Sequence, residues 1–217
     1  MKGELSGNRR KGSRFSWVIN ETKYLDSEKI KKLKRTLKES RDRALRENKA
    51  IPVRDWFMVE LGLFTGLRVD EMAKLKASDL YLPKEPSFLI VRKGKGNKPR
   101  TVYFSKTFRN ECLFYLRWKE KALPQSDHLF INTRGEQLTK RTLQKSFKRC
   151  IRKTGLDSHY SIHCLRHTYG SFLYKSSNHN LRLVQEQLGH SSIRTTQVYA
   201  SLLDDEVKKA VDKLYRD

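Results

Sequence analysis

His163-Cys164-Leu165-Arg166-His167 is the stretch on which the interpretation of this sequence depends. On a helix, positions i and i+3 share a face, so the imidazole of His163 and the guanidinium of Arg166 would lie side by side while Leu165 points inward. A histidine and an arginine at this spacing are more often a surface pair than a catalytic one. The stretch therefore gains its meaning from the segments around it.

Downstream, a second histidine and a tyrosine follow. Leu188-Gly189-His190 places a histidine just beyond a helix predicted over residues 181–188, because glycine is typical of the position that ends a helix. Thr195-Thr196-Gln197-Val198-Tyr199 then places a tyrosine in the next segment. The sequence has nine tyrosines, and any one of them is most often a packing residue, so Tyr199 stands out only because of the motif before it.

Upstream, the segment Thr65-Gly66-Leu67-Arg68-Val69-Asp70-Glu71 joins two predicted helices. The first helix follows Pro52 and ends near Gly66, where glycine permits a left-handed turn. The second helix begins around Arg68 and carries Glu71 one turn later. A cation and a carboxylate therefore share the start of one helix.

The spacing of the apolar residues changes after this helix. Phe88-Leu89-Ile90-Val91 and Thr101-Val102-Tyr103-Phe104 are typical of strands, and Gly94-Lys95-Gly96-Asn97-Lys98-Pro99 between them is typical of a hairpin turn. Elsewhere most apolar residues repeat every three or four positions, as they do in helices. We therefore predict an α+β fold, mainly α-helical, with a small antiparallel β-sheet or hairpin.

Taken together and in this order, these segments resemble the tyrosine recombinase (phage integrase) family, from about Tyr24 to the C-terminus. The resemblance implies the tyrosine-recombinase catalytic fold, with a catalytic domain over residues 24–203 and, in the same domain, a protomer-docking helix over residues 204–217. Residues 1–23 are a basic N-terminal tail, which we expect to be disordered until it meets DNA. By position, the family's catalytic residues correspond to Arg68, Lys95, His163, Arg166, His190 and Tyr199, with Glu71 and His167 in supporting roles.

These residue types suit the transfer of a phosphodiester. Planar guanidinium groups, here those of Arg68 and Arg166, can hold the non-bridging oxygens on which negative charge develops. The hydroxyl of Tyr199 becomes a nucleophile when a neighbouring base and nearby cations assist its deprotonation, and His163 is placed to help. Lys95, at the hairpin turn, is the candidate that protonates the leaving 5′-oxygen.

The supporting residues shape the surroundings of the phosphate. His190 would hydrogen-bond the phosphate or orient its neighbours, Glu71 would hold an active-site cation in place, and His167 would be a structural partner. The resemblance implies a metal-independent transesterification through a 3′-phosphotyrosine, in which the cations do the electrostatic work of a metal. Neither a metal site nor a cofactor is predicted.

The composition points to DNA as the partner. The chain has 47 Lys and Arg against 24 Asp and Glu, and its formal net charge of +23 is typical of a protein that binds a polyanion. A helix predicted over residues 139–153 buries one apolar stripe and is basic elsewhere, although such a run is also typical of a merely solvated face. The residues predicted to bind double-stranded DNA are Lys98, Arg100, Lys140, Arg141, Lys145, Lys148 and Arg149.

Membrane and secreted classes are disfavoured. No apolar run approaches the ~18 residues of a membrane span, and residues 1–14 lack the hydrophobic core of a signal peptide, so we expect a cytoplasmic protein without a membrane partner. The three cysteines, Cys112, Cys150 and Cys164, are odd in number and widely spaced, which fits free thiols rather than a disulfide framework.

The resemblance also implies an assembly, a homo-tetramer on paired DNA sites that carries out integration, excision or resolution, with an accessory protein as an optional partner. Residues 1–23 are too short for the family's N-terminal DNA-clamping domain, which leaves two alternatives open: the domain is naturally absent, or it has been removed. Two other functions also stay open. One is a topoisomerase IB-like nicking-closing enzyme, and the other is a non-catalytic DNA-binding regulator.

Overall fold

The computed structural model describes residues 23–92, 99–190 and 196, which contain seven α-helices and one three-stranded sheet. This confirms the predicted α+β fold, mainly α-helical with a small antiparallel sheet. No helix in these residues is long and apolar enough to cross a membrane. The elements are α1 (Ser27–Arg46), α2 (Ala50–Thr65), α3 (Val69–Lys74), β1 (Leu80–Tyr81), β2 (Phe88–Val91), β3 (Arg100–Tyr103), α4 (Lys106–Ala122), α5 (Lys140–Thr154), α6 (His163–Ser176) and α7 (Leu181–Leu188).

Helix α2 is the centre of the fold. It packs against α1, α4, α5 and α6, and every residue from Val53 to Gly62 is buried. The ring of Phe57 stacks on that of Tyr115 from α4, with centroids 3.9 Å apart and 5° between the ring planes. A helix buried on all sides is a scaffold for its neighbours. It ends at Gly66, whose φ of 59° lets the chain turn at once toward α3.

The sheet is antiparallel, with the strand order β1-β2-β3. In the β2–β3 pair, Phe88 lies opposite Tyr103 and Val91 opposite Arg100, so the predicted hairpin is confirmed. β1 is a two-residue edge strand that the sequence pattern does not predict, because two residues show no periodicity. The turn residues 93–98 lie outside the described part of the chain.

Helices α6 and α7 complete the domain beside β3. α6 packs on α2, while α7 packs on both α6 and β3. The segment before α1 is tied to α6 as well, because the backbone N–H of Leu25 donates to Thr168 Oγ1 at 2.9 Å. This packing brings the end of α2, the end of α7 and the first residue of β3 to one place. The predicted docking helix over residues 204–217 and all of the predicted tail over residues 1–23 except Lys23 lie outside the described residues.

Gly62 marks the close approach of α2 and α6. A β-carbon added there would lie 2.6 Å from Leu165 Cδ1 and 3.0 Å from Leu165 Cβ. We expect Gly62→Ala to lower the free energy of unfolding, because an overpacking cost of about 1–3 kcal/mol outweighs the ~1 kcal/mol that alanine gains over glycine within a helix. Urea unfolding measures the change. The same substitution in a Leu165→Ala background should cost less, and an equal cost there would contradict the steric explanation.

Candidate active site

Arg166 is a buried cation between two helix ends. It lies on α6 with 7% of its surface exposed. Its Nη1 donates to the carbonyl oxygen of Gly66 at 2.7 Å, and its Nη2 donates to the carbonyl oxygen of Leu188 at 2.9 Å. These two bonds fix the plane of the guanidinium between the C-terminus of α2 and that of α7. A cation is also electrostatically favoured at such carbonyl-rich helix ends.

Arg68 reaches the same place from another element. It is the residue just before α3, and its Nη2 lies 3.4 Å from the carbonyl oxygen of Gly189, the residue after the one that Arg166 contacts. Its side chain is 27% exposed, so it borders solvent while that of Arg166 is enclosed. The two predicted phosphate-binding arginines therefore converge on the end of α7.

The Glu71 carboxylate holds Arg68 in this position. Its Oε2 accepts from the Arg68 backbone N–H at 2.8 Å, and its Oε1 accepts from Arg68 Nη1 at 3.0 Å. Burial alone would raise the pKa of Glu71, but the hydrogen bonds and charge of Arg100, the Arg68 backbone N–H and the charge of Arg166 outweigh burial and keep this pKa below its usual value. Glu71 is therefore ionised at neutral pH, as the prediction that it holds a cation requires.

The histidines differ in their surroundings. His163 is exposed at the first residue of α6, whereas His167, one turn further along, is half-buried. His190 follows α7, and its Nδ1 lies 3.0 Å from Thr196 Oγ1. Burial, reinforced by Arg166 and other nearby cations, lowers the pKa of His167 to about 4 and that of His190 to about 3. Both imidazoles are therefore neutral at pH 7.

Arg100, predicted to contact DNA, is instead directed into this cluster. Its side chain is 11% exposed. Its Nη1 and Nη2 donate to the two oxygens of Glu71 at 2.7 and 2.9 Å, and its Nε donates to the carbonyl oxygen of Gln187 at 3.3 Å. A guanidinium engaged in this way is not presented to a surface phosphate. Arg100 as a DNA contact stays a prediction, while the structure shows its side chain largely buried and paired with Glu71.

Helix α5 presents the predicted basic face. Lys140, Arg141 and Lys145 are exposed along it, and Lys140 lies 3.7 Å from Asp70. Arg149 is different, because its Nε and Nη2 donate to the buried carboxylate of Asp55 at 2.8 and 2.9 Å. Its charge is compensated within the fold, so Arg149 ties α5 to α2. The remaining predicted cation, Lys148, donates to the backbone carbonyl of Ser158.

Several predicted site residues cannot be placed against this geometry. Lys95, Lys98 and Tyr199 lie outside the described residues. The structure brings together Arg68, Glu71, Arg166 and His190, with His163 and His167 on the helix of Arg166. In the described part of the chain, no group of three or more His, Cys, Asp or Glu side chains could hold a metal ion.

The family model for phage integrases matches residues 23–206, which include every element of this cluster. The chain belongs to the phage integrase family. Within the family, it is 31% identical to tyrosine recombinase XerC of Caldanaerobacter subterraneus over 199 residues, which are 89% of this chain and 55% of XerC. It is 34% identical to tyrosine recombinase XerA of Pyrococcus furiosus over 207 residues, which are 92% of this chain and 69% of XerA. The chain thus spans about half the length of the XerC relatives it matches.

A solved structure extends the match to the fold. XerH site-specific recombinase, bound to a palindromic difH substrate in a post-cleavage complex, has a TM-score of 0.71 at 27% identity, covering 89% of this chain and 53% of XerH. The tyrosine-recombinase catalytic fold implied by the sequence is therefore confirmed.

Two residues of this phage integrase family site were not predicted from the sequence. Gly189 has a φ of 65°, and a β-carbon there would lie 2.5 Å from Arg100 Cδ, so only glycine lets the arginine pass. Gln187 accepts at its side-chain Oε1 from the backbone N–H of Tyr103 at 3.2 Å, which joins α7 to β3. A glycine directly before His190 is a visible signal, whereas a glutamine on a helix is not.

The low pKa values of the two half-buried histidines predict acid sensitivity. When the chain unfolds, the pKa values of His167 and His190 return to about 6.5. Below that pH the unfolded chain therefore binds protons at these two imidazoles that the folded protein does not bind. The free energy of unfolding is then fully present above pH 6.5 and falls as the pH drops from 6.5 toward about 4 for His167 and about 3 for His190. We expect His190→Gln, which cannot protonate, to flatten this loss. Urea unfolding at pH 7.5 and pH 5 measures it, and equal losses in both proteins would contradict the assignment.

Proposed function

We propose that this chain carries the catalytic site of a site-specific DNA recombinase, which cleaves and rejoins DNA strands through a 3′-phosphotyrosine intermediate. The observation that carries the proposal is the convergence of Arg68 and Arg166 on the end of α7, beside a neutral His190. Such a pair of fixed guanidinium groups suits a phosphate whose non-bridging oxygens gain negative charge during transfer.

The arginines act by being in place before the reaction begins. Arg166 is held by two backbone carbonyls, and Arg68 is held by Glu71, so neither guanidinium needs to reorganise when charge develops on the phosphate. Donors that are already oriented stabilise a transition state more than mobile ones do. We infer that these two residues bind the scissile phosphate and that neutral His190 adds a hydrogen bond to it.

Tyr199 is the proposed nucleophile. Thr196 precedes Tyr199 by three residues in the sequence, and its Oγ1 lies 3.0 Å from His190 Nδ1. Three residues span at most about 11 Å, which keeps the tyrosine within reach of the site. The tyrosine oxygen would bond to phosphorus while the bond to the 5′-oxygen breaks, with His163 assisting removal of the phenolic proton and Lys95 protonating the leaving oxygen. Attack by a 5′-hydroxyl on the phosphotyrosine reverses the step and rejoins the strand. No metal or cofactor takes part in this proposal.

The proposed partners are double-stranded DNA and further copies of the chain. The net charge of +23 and the exposed cations Lys140, Arg141 and Lys145 on α5 support DNA. For the C-terminal segment over residues 204–217 we propose docking on a neighbouring protomer in a homo-tetramer on paired sites, because an apolar stripe runs through it. Integration, excision and resolution are all compatible with this chemistry, with or without an accessory protein. The stripe begins just before the segment and consists of Leu203, Val207, Ala210 or Val211, and Leu214.

Trapping the covalent intermediate tests the nucleophile. Labelled duplexes of randomised sequence carry a nick that lets the short 5′-hydroxyl strand diffuse away, and the protein is treated with EDTA. We expect a protein–DNA adduct on denaturing gels for the natural chain and for Tyr81→Phe, an exposed tyrosine on β1, but none for Tyr199→Phe, with unchanged DNA binding. An adduct that persists in Tyr199→Phe would contradict the assignment of Tyr199 as the nucleophile. The sequence recovered from the adduct is then placed at two sites in supercoiled DNA. A recombinase gives recombinant product between the two sites, whereas a nicking-closing enzyme only relaxes the supercoils.

The basic face of α5 predicts a specific salt dependence. Each lysine or arginine that neutralises a phosphate contributes about 0.9 to the slope of log K against log salt concentration. We expect Arg141→Ala with Lys145→Ala to reduce this slope by ~2 in duplex-binding titrations. The matched pair Lys38→Ala with Arg43→Ala, exposed cations on α1, should leave the slope unchanged. Equal effects of the two pairs would mean that α5 is only a solvated face.

A further inference from the structure

Arg100 is the first residue of β3, and its side chain reaches into the candidate active site. Its guanidinium makes a two-pronged ion pair with Glu71, and its Nε donates to the carbonyl oxygen of Gln187. With 11% of its side chain exposed, it is nearly as enclosed as Glu71, whose side chain is 6% exposed. A cation and a carboxylate buried together with matched hydrogen bonds form a rigid unit.

The same carboxylate contacts Arg68. Glu71 Oε1 accepts from both Arg68 Nη1 and Arg100 Nη1, at 3.0 and 2.7 Å, and Glu71 Oε2 accepts from the Arg68 backbone N–H and from Arg100 Nη2. Glu71 therefore stands between the two arginines. Loss of Arg100 would leave one side of this buried carboxylate without donors, and the carboxylate could then rotate and carry Arg68 with it.

Gly189 provides a second link between the two arginines. Its φ of 65° and its missing β-carbon allow Arg100 to pass, since a β-carbon would lie 2.5 Å from Arg100 Cδ and 2.8 Å from Nε. The carbonyl oxygen of Gly189 faces Arg68 Nη2 at 3.4 Å, and the next residue is His190. The backbone at Gly189, which packs on Arg100, thus also contacts Arg68 and leads directly into His190.

We propose that Arg100 is a positioning residue of the strand-transfer site, which orients the phosphate-binding guanidinium of Arg68 through Glu71 and the 187–189 backbone. It does so without contacting DNA. The inference rests on the proposed function for the reaction that Arg68 serves, but the orientation of Arg68 is a property of the protein alone. It can therefore be measured with and without DNA.

The kinetic test compares Arg100→Met with Arg109→Met. Arg109 also joins two elements, because its Nε donates to the carbonyl oxygen of Leu82, but it lies on α4. With saturating nicked duplex in a single turnover, we expect Arg100→Met to slow adduct formation about ten- to a hundredfold while Kd for intact duplex stays within about twofold. Arg100→Lys, which keeps the charge near Glu71, should recover part of the rate, and Arg109→Met should change neither quantity.

Two further comparisons show whether Arg100 acts through Arg68. The double variant Arg68→Ala with Arg100→Met should form the adduct no more slowly than Arg68→Ala alone. If Arg100 acts only by orienting Arg68, its loss has no further effect once Arg68 is gone. A methylphosphonate at the scissile position removes one anionic oxygen, so the defects of Arg68→Ala and Arg100→Met should shrink together. Additive defects, or a methylphosphonate defect that shrinks only for Arg68→Ala, would overturn the proposal. An unchanged adduct rate with weaker binding and a salt slope reduced by about one would make Arg100 a phosphate contact instead.

A measurement on the protein without DNA separates this proposal from the proposed function. In ¹⁵N spectra of the free protein, the Arg68 Nε–H signal should move in Arg100→Met and stay in place in Arg109→Met, with thermal unfolding confirming that both variants are folded. If the natural chain forms no adduct but this signal moves, the proposed function fails and the positioning role of Arg100 stands. If the adduct forms and the Arg68 signal stays in place in Arg100→Met, the positioning role fails alone.

Discussion

The buried guanidinium of Arg166 is the constraint on which the site depends. A charge in the interior is tolerated only when hydrogen bonds and compensating dipoles replace water. Here the carbonyl oxygens of Gly66 and Leu188 supply these bonds, and each belongs to the C-terminal end of a helix, where the helix dipole is negative. Satisfying one arginine therefore requires α2 and α7 to end beside each other. Because Arg68 and His190 each come two residues after one of these carbonyls, the same requirement also fixes where these two residues lie.

Close packing at two glycines makes this convergence possible. A β-carbon at Gly66 would collide with Tyr169 and Leu188, and one at Gly189 would collide with Arg100. Both glycines have positive φ, so they end their helices and at the same time leave space, at Gly66 for Tyr169 and Leu188 and at Gly189 for Arg100. Helix termination and site assembly are thus one structural event, and a side chain at either position would disturb both.

What was predictable from sequence is what is local. His163 and Arg166 are one helical turn apart, as are Arg68 and Glu71, and the hairpin is a short-range pattern, so each follows from spacing. The partners of these groups are not local. Arg100 meets Glu71 across 29 positions, and Arg149 meets Asp55 across 94. No periodicity distinguishes a cation that pairs with a distant buried carboxylate from its neighbours in a basic run, so neither ion pair could be predicted from the sequence.

The balance of charges in the site determines which groups carry a proton. Among the described residues, Arg68, Arg100 and Arg166 lie around one carboxylate, that of Glu71, so this cluster keeps an excess of positive charge that a phosphodiester can neutralise. The same excess opposes a proton on His190, whose pKa is already lowered by burial. A site built to attract a phosphate therefore cannot also store a proton at this imidazole. His190 is left to act as a neutral hydrogen-bonding group, so the proton transfers of the proposed reaction are assigned to other groups.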